Sequence, residues 1–159
     1  MDMPDEDLLG FWKHLGQNNV RYIMVGEFAK RLHGIDYAKT DLELWLEDTL
    51  INRRNLRTAF DALGYGDFPS IETMTFIPGQ TRFYVENIVE LDIMTAMKGL
   101  EDMTFSQCFE QASIADIDGI KIPFLHINQL IKNKQEVNRP KDQIDVIELE
   151  KIKKLRDNT

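Results

Sequence analysis

Apolar positions along the chain fall into alternating helical and extended patterns. Leu8, Phe11, Trp12 and Leu15 recur at helical spacing, so Asp7 to Gln17 reads as an amphipathic helix. Arg21 to Val25 is a short apolar strand broken by Gly26, and Glu27 to Leu32 gives one or two helical turns stopped at His33-Gly34. After a polar loop from Asp36 to Lys39, Asp41 to Leu46 alternates. Leu42, Leu44 and Leu46 take one face of this strand, and Asp41, Glu43 and Trp45 the other. Asn52 to Leu63 is a helix burying Leu56, Ala59, Phe60 and Leu63, with Gly64 as its cap.

The second half is read in the same way. Met74 to Ile77 and Thr81 to Val85 read as strands joined by the turn Pro78-Gly79-Gln80. Ile88 to Met94 is a further strand, and Phe105 to Gln111 a short helix. Ala112 to Ile122 reads as a hairpin turning at Asp118-Gly119. Two C-terminal helices follow from about residue 127: Ile127 to Glu136, then Lys141 to about Leu155 behind Pro140. The interleaving predicts an α/β (α+β) domain over residues 1–159, with a mixed β-sheet flanked by helices.

Composition narrows the partners. A chain of 159 residues is long enough for one domain with a real core. A net charge of −8 argues against nucleic-acid binding through the overall field. No apolar run reaches the length of a membrane span. The acidic N-terminus lacks the basic flank of a signal peptide, so the expected location is cytoplasmic. The single cysteine, Cys108, excludes an internal disulfide and reads as a small core residue. His14, His33 and His126 do not cluster, and no nucleophile is spaced beside them.

The chemistry is carried by acids. Asp41 and Glu43, at i and i+2 of one strand, project together with Cα atoms roughly 6–7 Å apart. Asp92 stands alone in a second apolar strand. Neighbouring carboxylates repel unless a cation or proton lies between them. Hard oxygens of this kind suit Mg²⁺, which usually takes one or two carboxylates plus substrate phosphates. The alternative is that these acids are simply solvated at strand ends. Gly26 and Glu27 open a helix, whose start favours anions, although Glu27 also suits the first turn as a plain acid. Lys132, Lys134, Arg139 and Lys141 form a basic run that reads equally as an anion contact or as an exposed helix end with Lys141 paired to Asp145. Lys30 and Arg31 reach either a phosphate or the solvent.

The ordered set resembles the minimal nucleotidyltransferase family, and within it the group of bacterial AbiEii-type toxin nucleotidyltransferases. The set comprises an apolar strand, Gly26 plus one residue, a short helix ending in His33-Gly34, Thr40-Asp41-Leu42-Glu43-Leu44-Trp45, and Glu90-Leu91-Asp92-Ile93. Lys134 followed by Arg139-Pro140-Lys141-Asp142 and Asp145 is similar to the family's C-terminal pattern. The resemblance implies a nucleotidyltransferase fold in which Asp41, Glu43 and Asp92 hold two Mg²⁺ ions. It implies that Gly26, Glu27, Lys134 and Arg139 contact the NTP. The nucleotidyl group would pass to a hydroxyl of RNA, protein or a small molecule, and a toxin–antitoxin partner is expected. Two residues depart from the family: Glu27 replaces a small residue, and Glu43 replaces an Asp. They favour the alternative, a catalytically degenerate member that binds nucleotide or protein.

Overall fold

The structure is a computed structural model and describes residues 6–36, 40–85 and 90–158. Among the described residues, a six-stranded mixed sheet runs in the order β3-β4-β2-β1-β6-β5. The strands are β1 Tyr22–Val25, β2 Leu42–Leu46, β3 Arg82–Phe83, β4 Leu91–Met94, β5 Ser113–Ile117 and β6 Ile120–Phe124. The helices are α1 Glu6–Gln17, α2 Gly26–His33, α3 Leu50–Ala62, α4 Phe105–Gln111, α5 Ile127–Val137 and α6 Pro140–Asp157, with a 3₁₀ turn at Pro69–Glu72.

Every residue of β1 and β4 is buried, so both faces of the sheet's middle are covered. That explains why β1 reads as a continuous apolar run and why β4 is apolar on both sides of Asp92. Helix α1 buries Leu8, Phe11, Trp12 and Leu15, and the Trp12 ring centroid lies 5.2 Å from that of Phe28 in α2. The hairpin β5–β6 closes through Asp118 and Gly119, whose φ angles of 54° and 80° give the left-handed pair of a type I′ turn. Helix α3 begins earlier than expected because the Thr49 side chain accepts from the Asn52 N–H.

Two expectations are corrected. Met74 to Ile77 joins no ladder. The Met74 carbonyl accepts from Arg53 Nη1 at 2.6 Å, and Arg53 lies over the Phe76 ring at 4.7 Å, so a guanidinium takes what a neighbouring strand would. Of Thr81 to Val85, only Arg82 and Phe83 pair. Helix α2 stops at His33 with Gly34 as its C-cap, as expected, and Ile35 (φ 55°) takes the left-handed conformation after it. Residues 37–39 of the expected polar loop, with Ile88 and Val89 of the expected strand, lie outside the described residues.

His33, the last residue of α2, is also a core residue. It is 2 % exposed, its Nε2 lies 2.8 Å from the Leu125 carbonyl oxygen, and its Nδ1 has no hydrogen-bond partner among the described residues. Burial pushes its pKa down to about 4, with the Arg156 and His126 charges as smaller causes. Between about pH 6.5 and 4 the unfolded chain therefore binds a proton that the folded chain refuses. Stability falls as pH drops through that window, by on the order of 2–3 kcal/mol. Denaturant melts at pH 7 and 4.5 should show this loss in the native chain and not in His33→Gln.

Candidate active site

Strand β2 lies between β1 and β4, antiparallel to the first and parallel to the second. Glu43 is opposite Val25 on one side and Asp92 on the other. The chain leaves β1 at Val25 and turns directly into α2 through Gly26. Gly26 has φ +69°, and a Cβ placed there would lie 2.6 Å from Cδ and Oε2 of Glu43. Glycine is thus required twice, by backbone conformation and by the closeness of the Glu43 carboxylate. Val25 supplies no side-chain cap, so the first N–H groups of α2 are left for another acceptor.

A cavity of about 400 Å³ opens here. Gly26, Glu27, Glu43 and Asp92 line it, as do the Pro78-Gly79 turn, the end of α5 and the start of α6. Lys98, Lys134, Arg139 and Lys141 give it a basic wall. Burial and then the Asp92 charge raise the pKa of Glu43, against the pull of Lys134, Arg139 and Lys141. No hydrogen bond or ion pair to another described residue ties its carboxylate. Asp92 differs: Arg82 donates Nε to Oδ1 and Nη2 to Oδ2, both at 2.9 Å.

The structure brings together six of the seven residues singled out by sequence. Gly26, Glu27, Glu43, Asp92, Lys134 and Arg139 share the cavity wall. Asp41 does not; it is exposed, and the ladder begins only at Leu42. Among the described residues, no three His, Cys, Asp or Glu side chains converge as a metal cluster.

The basic residues are also rearranged. Lys141 reaches Glu27 Oε2 at 3.5 Å rather than Asp145, because Asp145 faces inward to Lys134 and Lys30, both at 2.8 Å. Glu27 is further screened by Arg31 at 3.4 Å, so its charge in the cavity is largely answered. Lys30 and Arg31 are both engaged in ion pairs and do not line the cavity. Sequence reading missed Arg82, whose tie to Asp92 depends on the β3–β4 register, and Lys98.

Among solved structures, the chain superposes on the lincomycin-bound lincosamide antibiotic adenylyltransferase LnuA with a TM-score of 0.60, covering 96% of this chain and 99% of that one at 14% identity. The fold is that of the nucleotidyltransferases. ANT(2")-Ia in complex with adenylyl-2"-tobramycin gives a TM-score of 0.55 over 95% of this chain and 93% of that one, at 16% identity. An antigenic nucleotidyltransferase-like protein from Paracoccidioides brasiliensis gives 0.50 over 90% and 72%, at 18% identity. No family model matches the sequence, and no curated protein matches it. At these identities the nucleotidyltransferase fold is what is shared. Among the described residues, no helix is long and apolar enough to cross a membrane.

Proposed function

We propose that the chain binds a nucleoside triphosphate with a divalent ion in this cavity and transfers its nucleotidyl group to a hydroxyl of a small-molecule acceptor: the acceptor oxygen bonds to the α-phosphorus, the bond to the β-phosphate breaks, pyrophosphate leaves and the hydroxyl proton passes to solvent. The observation that carries this reading is Glu43. It is a partly buried carboxylate with no tie to another described residue, one strand from Asp92 and against the uncapped start of α2. An acid left in that state attracts a cation or a proton. Glu43 and Asp92 supply hard oxygens that fit one Mg²⁺ together with phosphate oxygens. The two-ion arrangement implied by the family resemblance would need Asp41 in the cavity as well. Mg²⁺, when bound, would neutralise charge on the phosphates at the reacting centre.

The chain's own groups do the rest. The N–H groups at the start of α2 donate to phosphate oxygens, and Arg139 and Lys98 contribute positive charge at the wall. Lys141 neutralises Glu27, the acid that would otherwise repel the phosphates. A small-molecule acceptor is favoured over RNA by the net charge of −8. It also accords with the lincomycin and adenylyl-tobramycin found in the fold neighbours.

Melting temperature tests the site. One NTP with Mg²⁺, at about 100 times its Kd, should add about 2.7 kcal/mol and raise melting by about 5–10 °C. Glu43→Gln should remove the rise, and Asp41→Ala should leave it in place. If none of the four NTPs shifts melting with Mg²⁺ or Mn²⁺, the reading fails. Transfer of label from radiolabelled NTP to a hydroxyl compound then tests the reaction.

A second reading is favoured by the Arg82 fork on Asp92 and by the exposed Asp41. It is a non-catalytic module that binds nucleotide or protein, and the toxin–antitoxin partner belongs to it. Under it, NTP would raise melting but no label would move.

A further inference from the structure

We propose that Arg82 is an exchangeable latch: it competes with a divalent ion for Asp92 and, once displaced, turns to the phosphates of the nucleotide. This rests on the nucleotide site proposed above and concerns how that site is loaded. Strand β3 is only two residues long and lies at the sheet's edge, in register Arg82 to Asp92. The guanidinium meets both oxygens of Asp92 at 2.9 Å and reaches Glu90 Oε2 with Nη1 at 2.7 Å. A divalent ion approaching Asp92 therefore meets a positive group already on both oxygens, and the two cations repel.

The two partners are not equally free to move. Asp92 sits on an inner strand with ladders on both sides, and its side chain is 9% exposed. Arg82 is on the edge, with its side chain 34% exposed. The arginine is the part that leaves. Carboxylate and phosphate present the same bidentate geometry to a guanidinium fork, so a triphosphate offers Arg82 a replacement partner within the same cavity. Glu43 carries no such latch, which makes the two acids unequal: one open to a cation, one held until phosphate arrives.

Ligand binding by itself tests this, without turnover. Mn²⁺ alone, followed by electron paramagnetic resonance, should bind Arg82→Gln at least tenfold more tightly than the native chain. Inorganic triphosphate in EDTA, followed by calorimetry, should bind that variant at least fivefold more weakly. Arg82→Lys, which keeps the charge and loses the fork, should fall between the two. Asp92→Asn should lose Mn²⁺ yet bind metal-free triphosphate several-fold more tightly, because Arg82 is released. That gain should vanish in the double variant Arg82→Gln/Asp92→Asn. Circular dichroism checks that each variant folds.

The latch is overturned if Arg82→Gln leaves Mn²⁺ affinity unchanged or lower. It is equally overturned if the Asp92→Asn gain survives in the double variant, which would make it a plain charge effect. If the native chain takes up an NTP with Mn²⁺ but these differences are missing, the latch fails and the site stands. If the native chain and every variant bind neither Mn²⁺ nor any NTP, both fail.

Discussion

Replacing Lys134 by Met should cost about 3–5 kcal/mol and lower melting by on the order of 10 °C. Lys134 is 6 % exposed, with its Nζ 2.8 Å from Asp145 Oδ2 and 3.8 Å from Asp142 Oδ1. Asp145 is 2% exposed and is shared with Lys30 of α2. Burial alone would raise the pKa of Asp145, but hydrogen bonds from Lys134 and Lys30 outweigh it and hold the carboxyl below its usual range. Removing Lys134 leaves a buried anion with half its compensation. The sign with pH follows. Asp145 contributes stability above the unfolded carboxylate pKa and loses it as pH falls, so the penalty of Lys134→Met should shrink in acid. Denaturant melts at pH 7 and pH 3.5 measure both effects. Adding Asp145→Asn should recover part of the loss at pH 7. A loss under about 1 kcal/mol would mean that water already screens the pair.

Gly26→Ala separates stability from site geometry. The left-handed φ of +69° costs a residue with a Cβ about 1–2 kcal/mol, hence a fall of a few degrees in melting. The new methyl would occupy the space of the Glu43 carboxyl group, 2.6 Å from its Cδ. Glu43 is the far end of a flexible side chain, so it swings aside at little cost in stability. Its position beside Asp92 is then lost. The expected result is a folded, slightly less stable protein in which NTP with Mg²⁺ no longer raises melting. Circular dichroism and melts with and without ligand read the two effects separately. A variant that melts lower yet keeps the full ligand shift would show that Glu43 does not hold the ligand.

Much of the fold was legible because its signals are local. The burial of Leu8, Phe11, Trp12 and Leu15 repeats the helical period seen in the sequence, and α4 runs from Phe105 to Gln111 as expected. Pro140 opens α6, and Asp118-Gly119 turns the hairpin, because each residue's own backbone preferences point to one geometry. Met74 to Ile77 misled because an apolar run says nothing about which group will take its carbonyls; here Arg53 does. Lys141 misled for the opposite reason. Its helical neighbour Asp145 was at the right spacing, but that side chain turned inward to Lys134.

The acids show where legibility stopped. Alternation from Asp41 to Leu46 correctly separated Glu43 from the leucines, since every residue from Leu42 to Leu46 is paired with β4 or β1. It could not say that the ladder begins one residue after Asp41. Nor could it see that Arg82 would lie on Asp92. By itself, the sequence determined an α/β domain, the glycine turn from β1 into α2, and which side chains carry oxygen donors, because period, turn chemistry and residue type are properties of short segments. Only the tertiary structure decided that Glu43 and Asp92 stand side by side, that Asp41 stays outside, and that one acid is free while the other is held. Strand order and register bring together segments far apart in the chain, and no local preference encodes which partner a side chain will meet.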